Sequence, residues 1–183
     1  GAADLEFSGL LNISLGELSS SNGKIQLEQG VVLIGGEFKV PNSTLVIGNL
    51  FNKTGGSVNL AGTNLQLFSD LSLNSDTPLS FQSLDLNQQE LSLSNEESDF
   101  EVHSLLEIND ANSRIIRNQA QITMNAGVSL EQDGELNLDD PSKFIIGNIS
   151  LNGGVLLVNG DSDEDFKQNT VISTISESKI VLS

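Results

Sequence analysis

The chain has 183 residues and a formal net charge of -17 at pH 7, from 8 Lys plus Arg against 25 Asp plus Glu. That balance argues against nucleic-acid backbones and anionic membrane surfaces, both of which need basic patches. With no Cys and no apolar run near the roughly 18 residues of a membrane span, disulfides, thiolate chemistry, sulfur-ligated metals and a membrane span are not expected. Short apolar alternations then run from end to end. The first half has Leu10–Leu15, Lys24–Leu27, Val31–Ile34, Glu37–Val40, Thr44–Ile47, Ser57–Leu60 and Asn64–Leu67. The middle has Leu71–Leu73, Leu84–Leu86, Leu91–Leu93 and Phe100–Val102, and the last third Gln121–Met124, Val128–Leu130, Glu135–Leu138 and Val155–Val158.

Period-two alternation over three to six residues, bounded by Gly, Asn, Asp or Ser, predicts short strands. No window sustains the i, i+3, i+4, i+7 stripe of an amphipathic helix. The prediction is therefore an all-β chain. From Ile122 onward the strand centres recur every six to eight residues. A strand of about four residues and a turn of two to four gives that step, and three steps make a coil of roughly 20 to 22 residues, in the range of solenoid repeats. One right-handed parallel β-helix of about eight or nine coils, filling residues 1–183 as a single domain, is the expected fold.

The composition suits such a coil. Leu, Ile and Val face a narrow core, while Ser (25), Asn (19) and Gly (17) are plentiful enough to serve the outer faces and corners. The alternative is an antiparallel β-sandwich, which shares the alternation but usually spaces its strands by 8–12 residues and buries a Trp or Tyr. This chain has eight Phe but neither Trp nor Tyr.

Segments such as Val31-Val32-Leu33-Ile34-Gly35-Gly36-Glu37-Phe38 and Leu151-Asn152-Gly153-Gly154-Val155-Leu156-Leu157-Val158-Asn159-Gly160 resemble the Gly-Gly-led coils of bacterial surface adhesins. These are the passenger regions of autotransporters and filamentous-haemagglutinin-like exoproteins. The run Phe166–Ile175 is similar to the unit that often ends a passenger stack. The resemblance implies secretion or cell-surface display, and an adhesive or scaffolding role toward a host receptor, cell surface or polysaccharide.

Candidate chemistry is sparse. A β-helix that binds or degrades polysaccharide is the alternative function, and it would cluster Asp with basic residues. Asp139-Asp140-Pro141 reads as a solvated turn, and alternation places Arg114 with Ile116 on one face and Ile115 with Arg117 on the other. His103 is the only histidine, follows the strand Phe100–Val102, and is expected at a corner or on the surface. With a single His there is little room for a hydrolase triad, and no catalytic residue or enzyme activity is expected. Asp161, Asp163 and Asp165 have the i, i+2, i+4 oxygen spacing of a hard cation and are candidate calcium ligands. Phe166 and Ile172 stand where an EF-hand needs Gly and Glu, so that motif is excluded. Glu96, Glu97, Asp99 and Glu101 lack ligand spacing and are expected in a solvated insertion. The four Asn-x-Ser/Thr sites at Asn12, Asn42, Asn52 and Asn148 match chance for this composition. Neither terminus carries a cap, so the expectation is a segment of a longer protein or head-to-tail self-association through open ends.

Overall fold

A computed structural model describes residues 4–95, 98–108, 110, 112–117, 120–131, 134–139, 144–159, 171–174 and 178–182. Among the described residues there is no helix; parallel strands stack as a β-solenoid of about 7 turns.

Three faces wrap the core. Face A is built by Leu5–Phe7, Lys24–Leu27, the first halves of the long strands Thr44–Lys53 and Asn64–Ser75, and Ser83–Asp85. It resumes with Leu106–Ile108, Val128–Glu131, Asn148–Asn152 and Val171–Thr174. Face B is built by Leu11–Ile13, Val31–Leu33, the second halves of the two long strands, Glu90–Leu93 and Arg114–Arg117. It continues with Glu135–Asp139, Val155–Asn159 and Lys179–Leu182. Face C is built by Glu17–Ser19, Glu37–Lys39 and Ser57–Asn59, then by Leu79–Phe81, Phe100–Val102, Ile122–Met124 and Phe144–Ile146.

The register gives the coil length directly. Leu5, Ile25, Leu45 and Leu65 stack with a step of 20 residues. Later the step grows: Phe100 pairs with Ile122, Leu91 with Ile115, and Leu156 with Ile180. The steps of the first half run from 19 to 22 residues, close to the expected 20–22, and the range is exceeded in places in the second half. Faces A and B carry nine strands each and face C seven, so about 7 turns have a strand on all three faces among the described residues. At ~4.8 Å per step, the nine stacked strands of face A span roughly 38 Å.

Alternation makes the core. On face A, Ile25, Leu27, Leu45, Ile47, Leu65 and Leu67 are essentially inaccessible, while Gln26 and Gln66 between them face outward. Phe side chains fill the core: Phe38 meets Phe51 edge-on at 6.3 Å, and Phe81 lies 5.3 Å from Phe100. Each such side chain buried rather than exposed stabilises the stack by about 1.5–3 kcal/mol.

The corners repeat with the coil. Gly16, Gly36 and Gly56 turn from face B to face C with φ of 87, 67 and 72°. A Cβ on Gly36 would lie 2.4 Å from Gly16 O, so both the conformation and the close stacking require glycine. Asn22, Asn42 and Gly62 occupy the next corner, also at positive φ. Buried hydroxyls satisfy backbone groups there: Thr63 Oγ1 donates to Val40 O at 2.6 Å, and Ser98 Oγ accepts from Ser75 N at 2.8 Å. The abundance of Ser, Asn and Gly is in part corner chemistry.

Candidate functional site

Stacking brings together residues that lie one coil apart, so any site is assembled from steps of about 20 residues along the chain. Two polar places stand out on the outer surface.

The first surrounds His103 on face C. Register aligns Ser80 with Glu101 and then Thr123, and Phe81 with Val102 and then Met124, so Asn125 stacks beside His103. Ser80 Oγ lies 2.8 Å from His103 Nε2, and Asn125 Nδ2 lies 3.2 Å from His103 Nδ1. Asn125 Nδ2 also donates to Glu101 Oε1 at 2.8 Å, and since a carboxylate only accepts, this contact sets the amide orientation. Nδ1 of His103 therefore accepts, and Nε2 carries the proton and donates to Ser80 Oγ. A general base for Ser80 needs the opposite tautomer. Glu101 Oε1, at 3.8 Å from Nδ1, is too far to hold the ring in that form. The cluster reads as three adjacent coils tied together on an open surface. Chain distance hid it: Ser80, His103 and Asn125 form a row only once the coil length is known.

The second place is a groove of about 580 Å³ on face A, lined by Leu84, Asp85, Asn87, Gln88, Leu105, Glu107, Asp110 and Ser113. It lies where the face A ladder breaks between Ser83–Asp85 and Leu106–Ile108. Asn87 and Gln88 adopt φ of 49 and 63°, a left-handed pair without glycine, and Gln88 N donates to Ser113 Oγ at 3.2 Å. Such strain persists only where neighbours hold it. Two carboxylates are set by local donors. Asp85 accepts from Asn87 N and from Gln66 Nε2, each at 3.0 Å. Asp110 Oδ1 accepts from Asn112 N at 2.9 Å and Ser113 N at 2.8 Å, and Oδ2 accepts from Ser113 Oγ at 2.8 Å. Burial pushes the Asp110 carboxyl upward, but the Ser113 hydroxyl and the two backbone N–H groups together hold it below the ordinary value.

The other sequence candidates fall as follows. Asp161, Asp163 and Asp165 lie outside the described residues, and so do Asp140, Pro141, Glu96 and Glu97. Asp139 ends the strand Glu135–Asp139 and pairs with Asn159, so it is strand rather than turn. Asp99 and Glu101 belong to the coil and not to an insertion: Asp99 Oδ1 accepts from Gln121 N at 2.9 Å, and Glu101 lies on an in-register strand. His103 is exposed just past its strand, as expected. Ile115 is buried and Ile116 exposed, and Arg114 pairs with Glu90 at 2.7 Å across the coil boundary. Among the described residues no group of three or more His, Cys, Asp or Glu side chains is placed to hold a metal.

Comparison with known protein families, with curated proteins and with solved structures finds no match to this chain.

Proposed function

We propose that the chain is a structural or adhesive β-helix of the cell surface or extracellular space, a scaffold or fibre subunit whose end coils pair head to tail. One observation carries this reading. In the first coil Phe7, Leu11 and Leu18 point inward yet are only half-buried, whereas their partners one coil on, Leu27, Val31 and Phe38, are 0–1% exposed. Ile172 and Ile180 are likewise 38% and 44% exposed at inward register positions, and rows of this kind are completed by further β-structure, from the same polypeptide or from a second copy. Apolar strips on strand edges favour addition of further β-structure. The acidic surface suits a soluble exported rod, and the resemblance to surface adhesins agrees with both.

Sedimentation across a concentration range, with electron microscopy, tests the reading. The expected result is end-to-end rods that grow with concentration and are lost in Leu11→Lys, whose circular dichroism stays β-rich. A monomer at every concentration would overturn the assembly. Turnover or tight binding of a glycan on a sugar array would instead favour the polysaccharide-acting alternative.

A further inference from the structure

Face B differs from its neighbours in what it turns outward. Its register stacks Leu50, Ser72, Ser92 and Ile116 in one outward column. Across the inward row of Phe51 and Leu73, a second column stacks Asn12, Val32, Asn52 and Asn74. No residue in either column is charged. Asn74 Nδ2 donates to Asn52 Oδ1 at 3.0 Å, which ties two levels of the second column together. At the margin Glu90 and Arg114 pair with each other at 2.7 Å and add no net charge. Outward positions elsewhere do carry carboxylates, at Glu6, Glu107 and Glu131 on face A and at Glu17, Glu37 and Glu101 on face C.

In a chain of net charge -17, an uncharged strip on one face limits what can meet it. Two copies repel each other wherever carboxylates come together, and these columns are where they can approach without that repulsion. Short uncharged side chains also give up water more cheaply than carboxylates do. Paired sheets with Asn ladders and small side chains interdigitate at a spacing of about 10 Å. Neither column holds an aromatic ring, so a sugar finds no flat surface to stack on.

We propose that face B is a lateral contact between two copies of this chain, packed face to face. At about 4.8 Å by 6.8 Å for each position, the two columns cover on the order of 300 Å². A stable pair buries roughly 800 Å² on each partner, so two single copies meet weakly and reversibly. Rods lined up end to end present the strip many times over and hold together through the sum. That last step rests on the proposed head-to-tail assembly, whereas the contact itself does not.

The chain has no Cys, so single-cysteine variants report the contact directly. Ser92 on face B and Ser129 on face A are both outward and half-buried. A bis-maleimide reaching about 10 Å should couple two Ser92→Cys chains at least about ten-fold faster than two Ser129→Cys chains, each rate divided by that with a monofunctional maleimide. Adding Ser72→Glu should bring the Ser92→Cys rate down to the Ser129→Cys level, and adding Ser150→Glu on face A should not. Equal rates at the two positions, or a Ser92→Cys rate unmoved by Ser72→Glu, would overturn the contact. In electron micrographs Ser72→Glu should leave single the rods that otherwise lie side by side. A parent protein that forms no rods would sink the head-to-tail reading alone, because the cross-linking rates judge face B between separate chains.

Discussion

At the scale of single residues, the fold depends on corner positions that no core inventory would single out. Gly36 sits at φ 67° with a backbone carbonyl where a Cβ would be, while nothing lies within 4 Å of a Cβ on Gly9. Gly36→Ala should therefore destabilise by at least about 1–2 kcal/mol, and Gly9→Ala should be near neutral. Thermal unfolding of the two variants checks the contrast. Asp110 gives a pH-dependent counterpart. The Ser113 hydroxyl and two backbone N–H groups hold its carboxyl below the ordinary aspartate value, so its contribution to stability is complete above the unfolded-state value and is lost as pH falls through the folded one. Asp110→Asn should melt below the parent at pH 7, and the difference should shrink steadily as pH is lowered through the acid range. A gap that persists in acid would show that the charge is not what holds this loop.

At the scale of the element, register decides which side chains meet, and one strand carries an exception. Along face B the inward row reads Ile13, Leu33, Lys53 and Ser75, so a lysine occupies a core slot of Thr44–Lys53. Its side chain is 4% exposed and its ammonium pairs with Asp76, which is 37% exposed in the next coil. Removing one partner strands a buried charge, whereas replacing both with apolar groups is often tolerated. Asp76→Ala should cost about 1–3 kcal/mol, less than a fully buried pair because Asp76 meets solvent. Adding Lys53→Met to Asp76→Ala should recover much of that loss. Denaturant unfolding of the two single variants and the double variant measures the coupling; strict additivity would mean that the pair does not act as a unit.

At the scale of the whole molecule, a stack of coils is close to one-dimensional, each coil held by its two neighbours. Protection from hydrogen exchange should therefore be greatest around Ile25–Leu93 and fall toward the first coil, whose inward side chains are half-buried. Uniform protection from Leu5 onward at low protein concentration would contradict this. If the end coils add further copies, protection of Leu5–Ser19 should rise with concentration, which ties the measurement to the proposed assembly.

Much of the architecture was legible in the chain. Alternation at residues 24–27, 44–47 and 64–67 marks three strands and their inward faces, a pattern that an antiparallel sandwich would share; the parallel 20-residue register puts their Leu and Ile into one core. Composition pointed to corners rich in Asn, Gly and Ser for the same reason. What the tertiary structure alone decided is where coils lengthen and what that assembles. The step of 24 residues from Leu91 to Ile115 breaks no local rule, yet it shifts which residues of later coils become neighbours. Between Asp85 and Glu107 the face A ladder fails to close, which leaves an acidic groove. Ser80, His103 and Asn125 meet for the same physical reason: in a solenoid, neighbours are set by the accumulated length of the coils between them. No short window of sequence contains that quantity.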